Sequence, residues 1–367
     1  MSSYPYDSIV VNGRTIPIDD IMAGRHPPAL EVEAALFSFI KDWLNARESF
    51  TLKTSGSTGV PKAITIARDQ MITSAKRTQQ VLGLKKGDTA LVCLHPDYIA
   101  GKMMLVRCFV TGMKIVFAAP SGNPFYEIRD NDIDFCALVP LQVYHILQSG
   151  HLARLDRIRT VLIGGGKVTD DIIARLREID CRCYSTYGMT ETVSHVALRL
   201  LNTQDTTDCY VALPGVALSL DGRGCLVIDC AWLHQPVVTN DIVELRDNKT
   251  FIWLGRWDNI INTGGVKIVP EKIEEMIENC FRDASIGNRF FLASIPDLRL
   301  GNKVILVIEG THPEEDIRTS LQALKVEEPY AYPQLLLFIP RFIEAGNGKV
   351  NRNATTLVAI QSHHSSD

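Results

Sequence analysis

Between Ala35 and Tyr187, short apolar runs alternate with segments whose apolar residues recur at helical spacing. The apolar runs predict five buried strands: Thr89–Leu94, Lys114–Ala118, Phe135–Val139, Thr160–Ile163 and Cys181–Ser185. The helical spacing predicts four helices around them: Asp69–Leu82, Tyr98–Val110, Leu141–Gln148 and Asp170–Glu178. An alternation of this kind predicts a mostly parallel sheet that is covered by helices.

The pattern changes after Ser194. Up to Leu254, turn residues separate short alternating strands, which predict a small antiparallel barrel or sheet: Gly224–Ile228, Asp241–Leu245 and Thr250–Leu254. Beyond Gly255, helices at Pro270–Phe281 and Pro313–Ala323 mix with strands at Phe290–Ser294, Lys303–Glu309 and Leu335–Ile339. We therefore predict a large α/β domain, 1–256, with mostly parallel strands plus a small β subdomain, and a smaller α+β domain, 257–367. The polar end, Ile360 to Asp367, is expected to be frayed.

Charge and composition narrow the function classes. The 367 residues carry a formal net charge of −4, so nothing in the composition attracts nucleic acid or an anionic membrane. No apolar run approaches the roughly 18–20 residues that span a bilayer, and the start of the chain lacks a signal-peptide pattern. Of the nine cysteines, the closest pair, Cys181 and Cys183, has neither a zinc nor a thioredoxin spacing. We expect a cytoplasmic protein with reduced, mostly buried thiols. The sequence is also compatible with assembly into a homo-oligomer.

The first chemical signal is the run TSGSTGVPK, from Thr54 to Lys62. Its small hydroxyl and glycine residues leave the backbone bare, so that successive N–H groups can approach phosphate oxygens, and Lys62 adds a positive charge. The spacing of Gly59 and Lys62 is not that of a Walker A loop, which disfavours a P-loop kinase or GTPase. The alternative is a flexible polar linker. A proline and a lysine standing just before the strand-like Ala63–Ile66 favour a phosphate site instead.

The second signal, YSTYGMTET from Tyr184 to Thr192, follows a predicted strand of the parallel sheet. Ligands bind such sheets where the strands end, and one carboxylate there is enough to hold magnesium together with substrate phosphates. Glu191 is therefore a candidate magnesium ligand, Thr190 a phosphate donor and Tyr187 a stacking partner for a base. A plain surface turn is the competing interpretation.

Two further stretches complete the pattern. One, GRWDNIINTGGVKIVP, runs from Gly255 to Pro270, and the other, NGKVNR, runs from Asn347 to Arg352. Taken singly, each stretch could be only a hairpin turn, because both contain dipeptides that are typical of such turns. On its own, Lys349 would then be an ordinary solvated lysine.

Taken together and in this order, the four stretches resemble the adenylate-forming superfamily, which contains acyl- and aryl-CoA synthetases, firefly luciferase and the adenylation domains of peptide synthetases. The resemblance runs from about Phe50 to Arg352 and rests on SGSTGxPK, YGMTE, GRxD with GGVKIxP, and NGKxxR. Within the superfamily, the chain is most similar to the o-succinylbenzoate–CoA ligases of menaquinone biosynthesis, through LHPDYIAGK, TETVSH and its short length.

The resemblance implies the adenylate-forming fold with a shortened N-terminus. It also implies a ligase that uses ATP, Mg²⁺ and coenzyme A to convert a carboxylic acid, o-succinylbenzoate in the first instance, into its acyl-CoA, with AMP and pyrophosphate released. Three alternatives stay open: another aryl- or acyl-CoA ligase, an adenylating enzyme with a different acceptor, and a non-catalytic nucleotide-binding protein on the same fold. The last would be expected to lack Lys349 or Glu191, and both are present.

Roles carry over only to matching residues. For the nucleotide, the resemblance implies a loop that binds pyrophosphate: Thr54, Ser55, Gly56, Ser57, Thr58, Gly59 and Lys62. It implies that adenine is bound by a glycine turn and an aromatic segment: Gly164, Gly165, Gly166, Tyr187 and Gly188. The ribose hydroxyls would be bound by Asp241 and Arg256. It implies that Thr190 contacts phosphate, Glu191 binds magnesium and Lys349 is the adenylation lysine. Asp258 is the implied hinge, and Gly264, Gly265 and Lys267 the loop of the coenzyme A step. For the three consecutive glycines, a plain strand-to-helix turn is the alternative.

The sequence departs from the family pattern in two places. Asn240 stands where a glycine normally precedes the ribose aspartate, and we expect it to adopt the positive φ that glycine would supply. The chain before the phosphate loop is also shorter than in most relatives, so that a usual N-terminal subdomain is missing or reduced.

A dicarboxylic acid needs a positive or donor-rich site for the carboxylate that does not react. The candidates are Lys102, Arg107, Ser194 and His195. As alternatives, Arg107 would be a surface side chain with a buried stem, and His195 would simply cap the strand that follows it.

Overall fold

The computed structural model describes residues 6–53, 63–128, 132–203, 208–344 and 350–364. The strands, in chain order, are β1 (Ser8–Val11), β2 (Arg14–Pro17), β3 (Ser49–Lys53), β4 (Ala63–Ala67), β5 (Thr89–Val92), β6 (Lys114–Phe117), β7 (Phe135–Leu138), β8 (Thr160–Ile163), β9 (Arg182–Gly188), β10 (His195–Leu200), β11 (Cys209–Ala212), β12 (Val216–Leu220), β13 (Cys225–Cys230), β14 (Val237–Leu245), β15 (Thr250–Arg256), β16 (Ile261–Thr263), β17 (Val266–Ile268), β18 (Phe290–Asp297), β19 (Gly301–Glu309) and β20 (Leu335–Ile339). The helices are α1 (Ile18–Ala23), α2 (Glu31–Leu44), α3 (Arg68–Leu82), α4 (Ile99–Thr111), α5 (Pro140–Gln148), α6 (Leu152–Asp156), α7 (Asp170–Leu176), α8 (Pro270–Asp283), α9 (Glu314–Ser320), α10 (Gln322–Glu327) and α11 (Arg352–His364).

Across the described ranges, thirteen strands form one mixed sheet, in the order β12-β13-β14-β15-β11-β10-β9-β8-β7-β5-β6-β1-β2. The strands from β9 to β1 in this order pair in parallel, which confirms the predicted parallel half. The antiparallel strands β10 to β15 continue the same sheet through the pairing of β10 with β9, rather than forming a separate barrel or sheet. The α/β fold class is therefore confirmed, with its small β part fused to the main sheet.

The parallel strands are buried on both faces, as their unbroken apolar runs require. Successive residues of β5 alternate between two hydrophobic cores: Ala90 and Val92 lie in one core, and Leu91 lies in the other. Helices α2, α3 and α4 cover the first core, and α5, α6 and α7 cover the second. Seven of the nine cysteines are buried, as expected for small apolar side chains.

A second, smaller body of structure follows β15. Strands β18, β19 and β20 form a three-stranded sheet, and helix α8 buries Ile273, Ile277 and Phe281 against it, which is the i, i+4, i+8 spacing of one helix face. The hydrophobic cores of this part contain residues between Ile261 and Ile360, whereas the two larger cores contain residues between Tyr6 and Trp253. The smaller C-terminal α+β part that the sequence predicted is confirmed.

Two local predictions for this part are wrong. The single helix expected over Pro313–Ala323 is two helices, α9 and α10, which are separated at Leu321 because its backbone, with φ −87° and ψ 8°, leaves the helical conformation. The polar end that was expected to be frayed from Ile360 is helical up to His364, because Ala359 packs into the smaller core and holds the last turns of α11. In the described segments, no helix has both the length and the apolar character that crossing a membrane requires.

Candidate active site

The predicted site segments leave the parallel strands at their carboxyl ends. The three consecutive glycines follow β8, and the segment from Tyr187 to His195 carries the end of β9 into the start of β10. This edge is where parallel sheets bind ligands. The sequence-predicted residues on these two segments are therefore neighbours at one edge of the sheet.

Two motifs lie outside the described residues: Thr54, Ser55, Gly56, Ser57, Thr58, Gly59 and Lys62 of the phosphate loop, and Lys349. In each case, the described residues on the two sides of the motif pair with each other. Lys53 faces Ala63 in the β3–β4 pair, and Glu344 forms a bridge with Val350.

The flanks of the lysine segment are also tied down by ion pairs. Arg352 donates two hydrogen bonds to Glu274 of α8, at 2.6 and 2.8 Å, and Arg289 contacts Glu344 at 2.8 Å. Burial acts to lower the pKa of Arg352, but Glu274 outweighs it and the net shift is upward. Helix α8 therefore fixes Arg352, the last residue of the NGKVNR motif, by a bidentate, charge-assisted contact.

Packing and backbone conformation at the end of β8 by themselves require glycine at two of the three consecutive glycine positions. A Cβ on Gly164 would lie 2.2 Å from Thr186 Oγ1, and Gly165 has a φ of +88°. The strand-to-helix turn therefore accounts for these two glycines by itself. Gly166 is exposed and meets neither constraint, and contact of the three with adenine stays a prediction. Gly188 is required for a similar reason, because its Cβ would lie 2.4 Å from the carbonyl oxygen of Ser194.

Three predicted nucleotide residues, distant in sequence, meet in space. Tyr187 Oη donates to Asp241 Oδ2 at 2.6 Å, and Arg256 Nη1 lies 3.5 Å from Asp241 Oδ1. Asp241 is buried, so its carboxylate is held between a phenol and a guanidinium rather than solvated. Burial and the neighbouring Asp241 raise the pKa of Tyr187, which keeps the phenol protonated as the donor.

The ring of Tyr187 belongs to an aromatic cluster. It meets Phe251 at 5.0 Å edge to face and Tyr210 at 5.8 Å, and Tyr210 Oη pairs with Ser185 Oγ at 2.8 Å. These contacts fix the ring plane on one side, as a stacking platform for a flat ligand requires.

Asn240 does not have the backbone conformation expected of it. It lies inside strand β14 and has no positive φ, so the expectation of a left-handed residue in place of glycine is wrong. The antiparallel pairing of Asp241 with Arg256 extends the backbone here, and the side chain of Asn240 is free to bind elsewhere.

The segment after β9 is strained. Thr190–Thr192 form a 3-10 turn, and Val193 follows with φ 71° and ψ −45°, which is unusual for a buried β-branched residue. Thr192 Oγ1 lies 2.7 Å from the carbonyl oxygen of Ser194 and accepts from the Met189 N–H at 3.0 Å, so the turn is closed internally. The strained turn presents Ser194 and His195 at the start of β10.

Glu191 meets the simple requirements of a magnesium ligand. Its side chain is exposed at the carboxyl edge of the sheet, beside the half-buried Thr190. Nowhere in the described part of the chain do three or more His, Cys, Asp or Glu side chains gather as a metal site. A single exposed carboxylate suits magnesium that arrives with nucleotide phosphates and keeps several waters.

The predicted hinge residue lies in the connection between the two bodies of structure. Asp258 is in the 3-10 turn Trp257–Asn259 that joins β15 to β16, and Glu271 of α8 accepts hydrogen bonds from the side chain of Asn259 and the N–H of Arg256. The predicted coenzyme A loop is the β16–β17 hairpin, whose turn glycines, Gly264 and Gly265, have φ values of 54° and 82°. Both glycines and Lys267 are exposed.

Three of the four acyl-pocket candidates meet in one cluster. Arg107 Nη2 donates to Ser194 Oγ at 2.5 Å and to His195 Nδ1 at 3.3 Å. Arg107 is 3% exposed, so the alternative of a surface side chain is excluded. Burial lowers the pKa of Arg107 to about 10, and the described ion pairs include no carboxylate partner for it. Lys102 is placed elsewhere: its Nζ donates to the Pro96 carbonyl at 2.5 Å and lies 5.2 Å from the Phe39 ring centroid.

The sequence analysis missed the side-chain contacts of three residues in this region. Thr78 of α3 touches both Arg107 and His195, Glu274 holds Arg352, and the side chain of Asn240 binds Asp258. Each is an ordinary polar residue on a helix or strand, and only the long-range pairing of elements brings it to the site.

Comparison with known proteins agrees with this geometry. Residues 49–230 match the model of the AMP-binding enzyme family. A solved acyl-CoA synthetase (AMP-forming)/AMP-acid ligase II-like protein from Dyadobacter fermentans is 39% identical, with 92% of this chain and 97% of that chain covered and a TM-score of 0.61.

More distant matches are longer proteins. A 2-succinylbenzoate–CoA ligase of Lactococcus lactis is 24% identical over 334 residues, which cover 86% of this chain and 72% of the ligase. The solved o-succinylbenzoate coenzyme A synthetase of Bacillus subtilis, in complex with ATP and magnesium ion, is 18% identical, with 83% of this chain and 69% of that chain covered and a TM-score of 0.70. At this identity the second match shows the fold alone.

Proposed function

The chain belongs to the AMP-binding enzyme family, and from this premise we propose that it joins a carboxylic acid to coenzyme A through an acyl-adenylate, with AMP and pyrophosphate as the other products. The observation that carries the proposal is the meeting of Tyr187, Asp241 and Arg256, with Oη–Oδ2 at 2.6 Å and Nη1–Oδ1 at 3.5 Å. An aromatic ring beside a buried carboxylate offers a stacking face for a base and an acceptor for ribose hydroxyls.

The first step brings two anions together. An oxygen of the substrate carboxylate attacks the α-phosphorus of ATP, the bond to the bridging oxygen breaks, and pyrophosphate leaves with that electron pair. In our proposal, the ammonium group of Lys349 bridges the carboxylate and the α-phosphate, which cancels their repulsion and aligns the attack. The phosphate loop, Thr54 to Lys62, binds the leaving pyrophosphate.

Glu191 and Thr190 are the residues that would hold magnesium and the nucleotide phosphates. Glu191 would hold the metal ion through one carboxylate oxygen, and Thr190 would donate its hydroxyl to a phosphate oxygen. When bound, magnesium supplies charge neutralisation for the phosphates.

The second step needs a different arrangement of the same chain. The thiolate of coenzyme A attacks the acyl carbon of the adenylate, and AMP leaves as the carbon–oxygen bond breaks. We propose that 257–367 turns about Asp258 relative to 1–256, which withdraws Lys349 and brings the loop of Gly264, Gly265 and Lys267 to the site. The connection at Trp257–Asn259, between two separate sets of hydrophobic cores, supports this proposal.

For the acid, we propose 2-succinylbenzoate. The distant relatives that carry this name support it, and so does Arg107, a buried guanidinium without a described carboxylate partner. Such a cation is costly to bury unless an anion joins it, and the second carboxylate of 2-succinylbenzoate is such an anion. Ser194 would add a hydroxyl donor.

A panel of aromatic and aliphatic acids tests the proposal, with ATP, magnesium and coenzyme A present, and with pyrophosphate release and product mass as the readouts. We expect 2-succinylbenzoate to give the highest kcat/KM and a product with the mass of its coenzyme A thioester. Pyrophosphate without a thioester would point to another acceptor. No pyrophosphate from any acid would reject the proposed activity.

A further inference from the structure

Thr78, Arg107 and His195 form a buried polar cluster between α3, α4 and the start of β10. Their exposed fractions are 0%, 3% and 6%, so each polar atom depends on its protein partners. Thr78 Oγ1 lies 3.1 Å from His195 Nε2 and 3.4 Å from Arg107 Nε, and Arg107 Nη2 lies 3.3 Å from His195 Nδ1.

The directions of these hydrogen bonds follow from the chemistry of the three side chains. A guanidinium only donates, so His195 Nδ1 must accept. In a neutral imidazole the other nitrogen then carries the proton, and His195 Nε2–H must donate to Thr78 Oγ1. The Thr78 hydroxyl keeps its own proton for the Ser74 carbonyl oxygen, which lies 3.2 Å away. The network has one consistent arrangement, with His195 neutral and held as the Nε2–H tautomer.

The arrangement leaves particular donors unused. Both N–H groups of Arg107 Nη2 are occupied, one by Ser194 Oγ and one by His195 Nδ1, and Nε points to Thr78. The described part of the structure has no hydrogen bond from Arg107 Nη1. Both nitrogens of His195, in contrast, are taken.

We propose that Thr78 and His195 are positioning residues, which fix the guanidinium of Arg107 so that its two Nη1 donors are kept for an anionic group of the acid. His195 therefore does not bind the acid itself. The inference rests on the proposed function only in taking that acid to be a dicarboxylate.

Substituting Thr78 by valine tests the role of the hydroxyl while keeping the branched shape. The matched control is Thr111→Val on α4, a buried threonine whose hydroxyl has no partner among the described residues. Thr78→Ser restores the oxygen.

The first measurement needs no catalysis. Nitrogen-15 NMR of the full-length protein, with the His195 signals assigned from the His195→Asn variant, should show a neutral Nε2–H imidazole from about pH 5.5 to pH 8. We expect Thr78→Val to keep the tautomer, which Arg107 fixes through Nδ1, but to shift the Nε2–H signal because its acceptor is lost, and Thr111→Val to leave that signal unchanged. An Nδ1–H tautomer or an imidazolium in the unsubstituted protein would overturn the inference, whatever the enzyme's substrate.

The second measurement compares kcat/KM for 2-succinylbenzoate with kcat/KM for the analogue that keeps the reacting carboxylate and lacks the other one. We expect Thr78→Val to lower the preference for the dicarboxylate about tenfold through KM, because one hydrogen bond that supports a charged group is lost. Thr78→Ser should regain most of the preference, and Thr111→Val should not change it. An equal loss for both acids, with a lower Tm, would make the cluster structural only.

Discussion

Asn240 donates its side-chain amide to both carboxylate oxygens of Asp258, at 3.0 and 3.1 Å. Arg256 Nη2 reaches the same carboxylate at 2.9 Å, and Arg223 Nη1 donates to Asn240 Oδ1 at 2.9 Å. The connection between the two bodies of structure is therefore held by side chains of β14, β15 and the turn before β13.

Removing that amide should loosen the connection. We expect Asn240→Ala to increase the rate of amide hydrogen exchange at residues 257–260 severalfold, because Asp258 loses one of its two polar anchors. The exposed turn variant Asn248→Ala serves as the control. Exchange as slow in Asn240→Ala as in the unsubstituted chain would show that Arg256 holds the connection by itself.

The phenol of Tyr187 should matter for nucleotide binding apart from its ring. Tyr187→Phe keeps the aromatic face but removes the donor to Asp241, so we expect ATP affinity to fall about tenfold. Isothermal titration calorimetry measures the change. Tyr210→Phe, which removes a hydroxyl from the same cluster but not from Asp241, should bind ATP normally. If the two variants lose affinity equally, the cluster acts through packing rather than through Asp241.

The contact between Arg352 and Glu274 should stabilise the C-terminal part. Both side chains are less than one-third exposed, at 29% and 14%, and the contact is bidentate. We expect Arg352→Ala to lower the free energy of unfolding by about 2–3 kcal/mol in urea titrations followed by circular dichroism. Arg318→Ala, which breaks an exposed i,i+4 pair with Glu314, should cost less than about 1 kcal/mol. Similar costs for the two variants would contradict the assignment.

His195 should make stability depend on pH. Burial and then Arg107 hold the pKa of His195 well below its usual range, so the folded state keeps it neutral where the unfolded chain, with an ordinary pKa of about 6.5, takes up a proton. The unfolded state then binds more protons below about pH 6.5, and the free energy of unfolding must fall as pH is lowered, by at most about 1.4 kcal/mol per unit.

Urea midpoints between pH 5 and pH 8 measure this dependence. We expect His195→Gln to flatten the slope below about pH 6.5, and the exposed His234→Gln to leave it unchanged. An unchanged slope in His195→Gln would mean that the folded state protonates this ring.

Local patterns predicted the parallel half of the main sheet well, because each buried strand there is a short apolar run, and Thr160–Ile163 has the bounds that the sequence indicated. The same holds for Leu335–Ile339 in the C-terminal sheet. Of the antiparallel strands in the described residues, β13, β14 and β15 were predicted, but β10, β11 and β12 were not. The fusion to the main sheet was also missed, because the pairing of β10 with β9 is decided by tertiary contacts. The β1–β2 hairpin was missed because its short strands draw their stability from pairing with β6 and from the core.

The candidate site shows the same division. The resemblance to the adenylate-forming superfamily identified Tyr187, Asp241 and Arg256, which the structure brings together. It could not reveal Thr78, whose role depends on how α3 packs against α4, or the positive φ of Val193, because nothing in a valine indicates strain.

The central claim is that the chain first makes an acyl-adenylate, and that Lys349 is the group that brings the acid and the α-phosphate together. The most direct test is the exchange of labelled pyrophosphate into ATP, without coenzyme A, in the unsubstituted chain and in Lys349→Ala. We expect exchange that depends on 2-succinylbenzoate in the former, a loss of at least about a hundredfold in the latter, and retained thioester formation when Lys349→Ala is given ready-made acyl-adenylate. Absence of exchange with every acid, or equal loss of both half-reactions in Lys349→Ala, would contradict it.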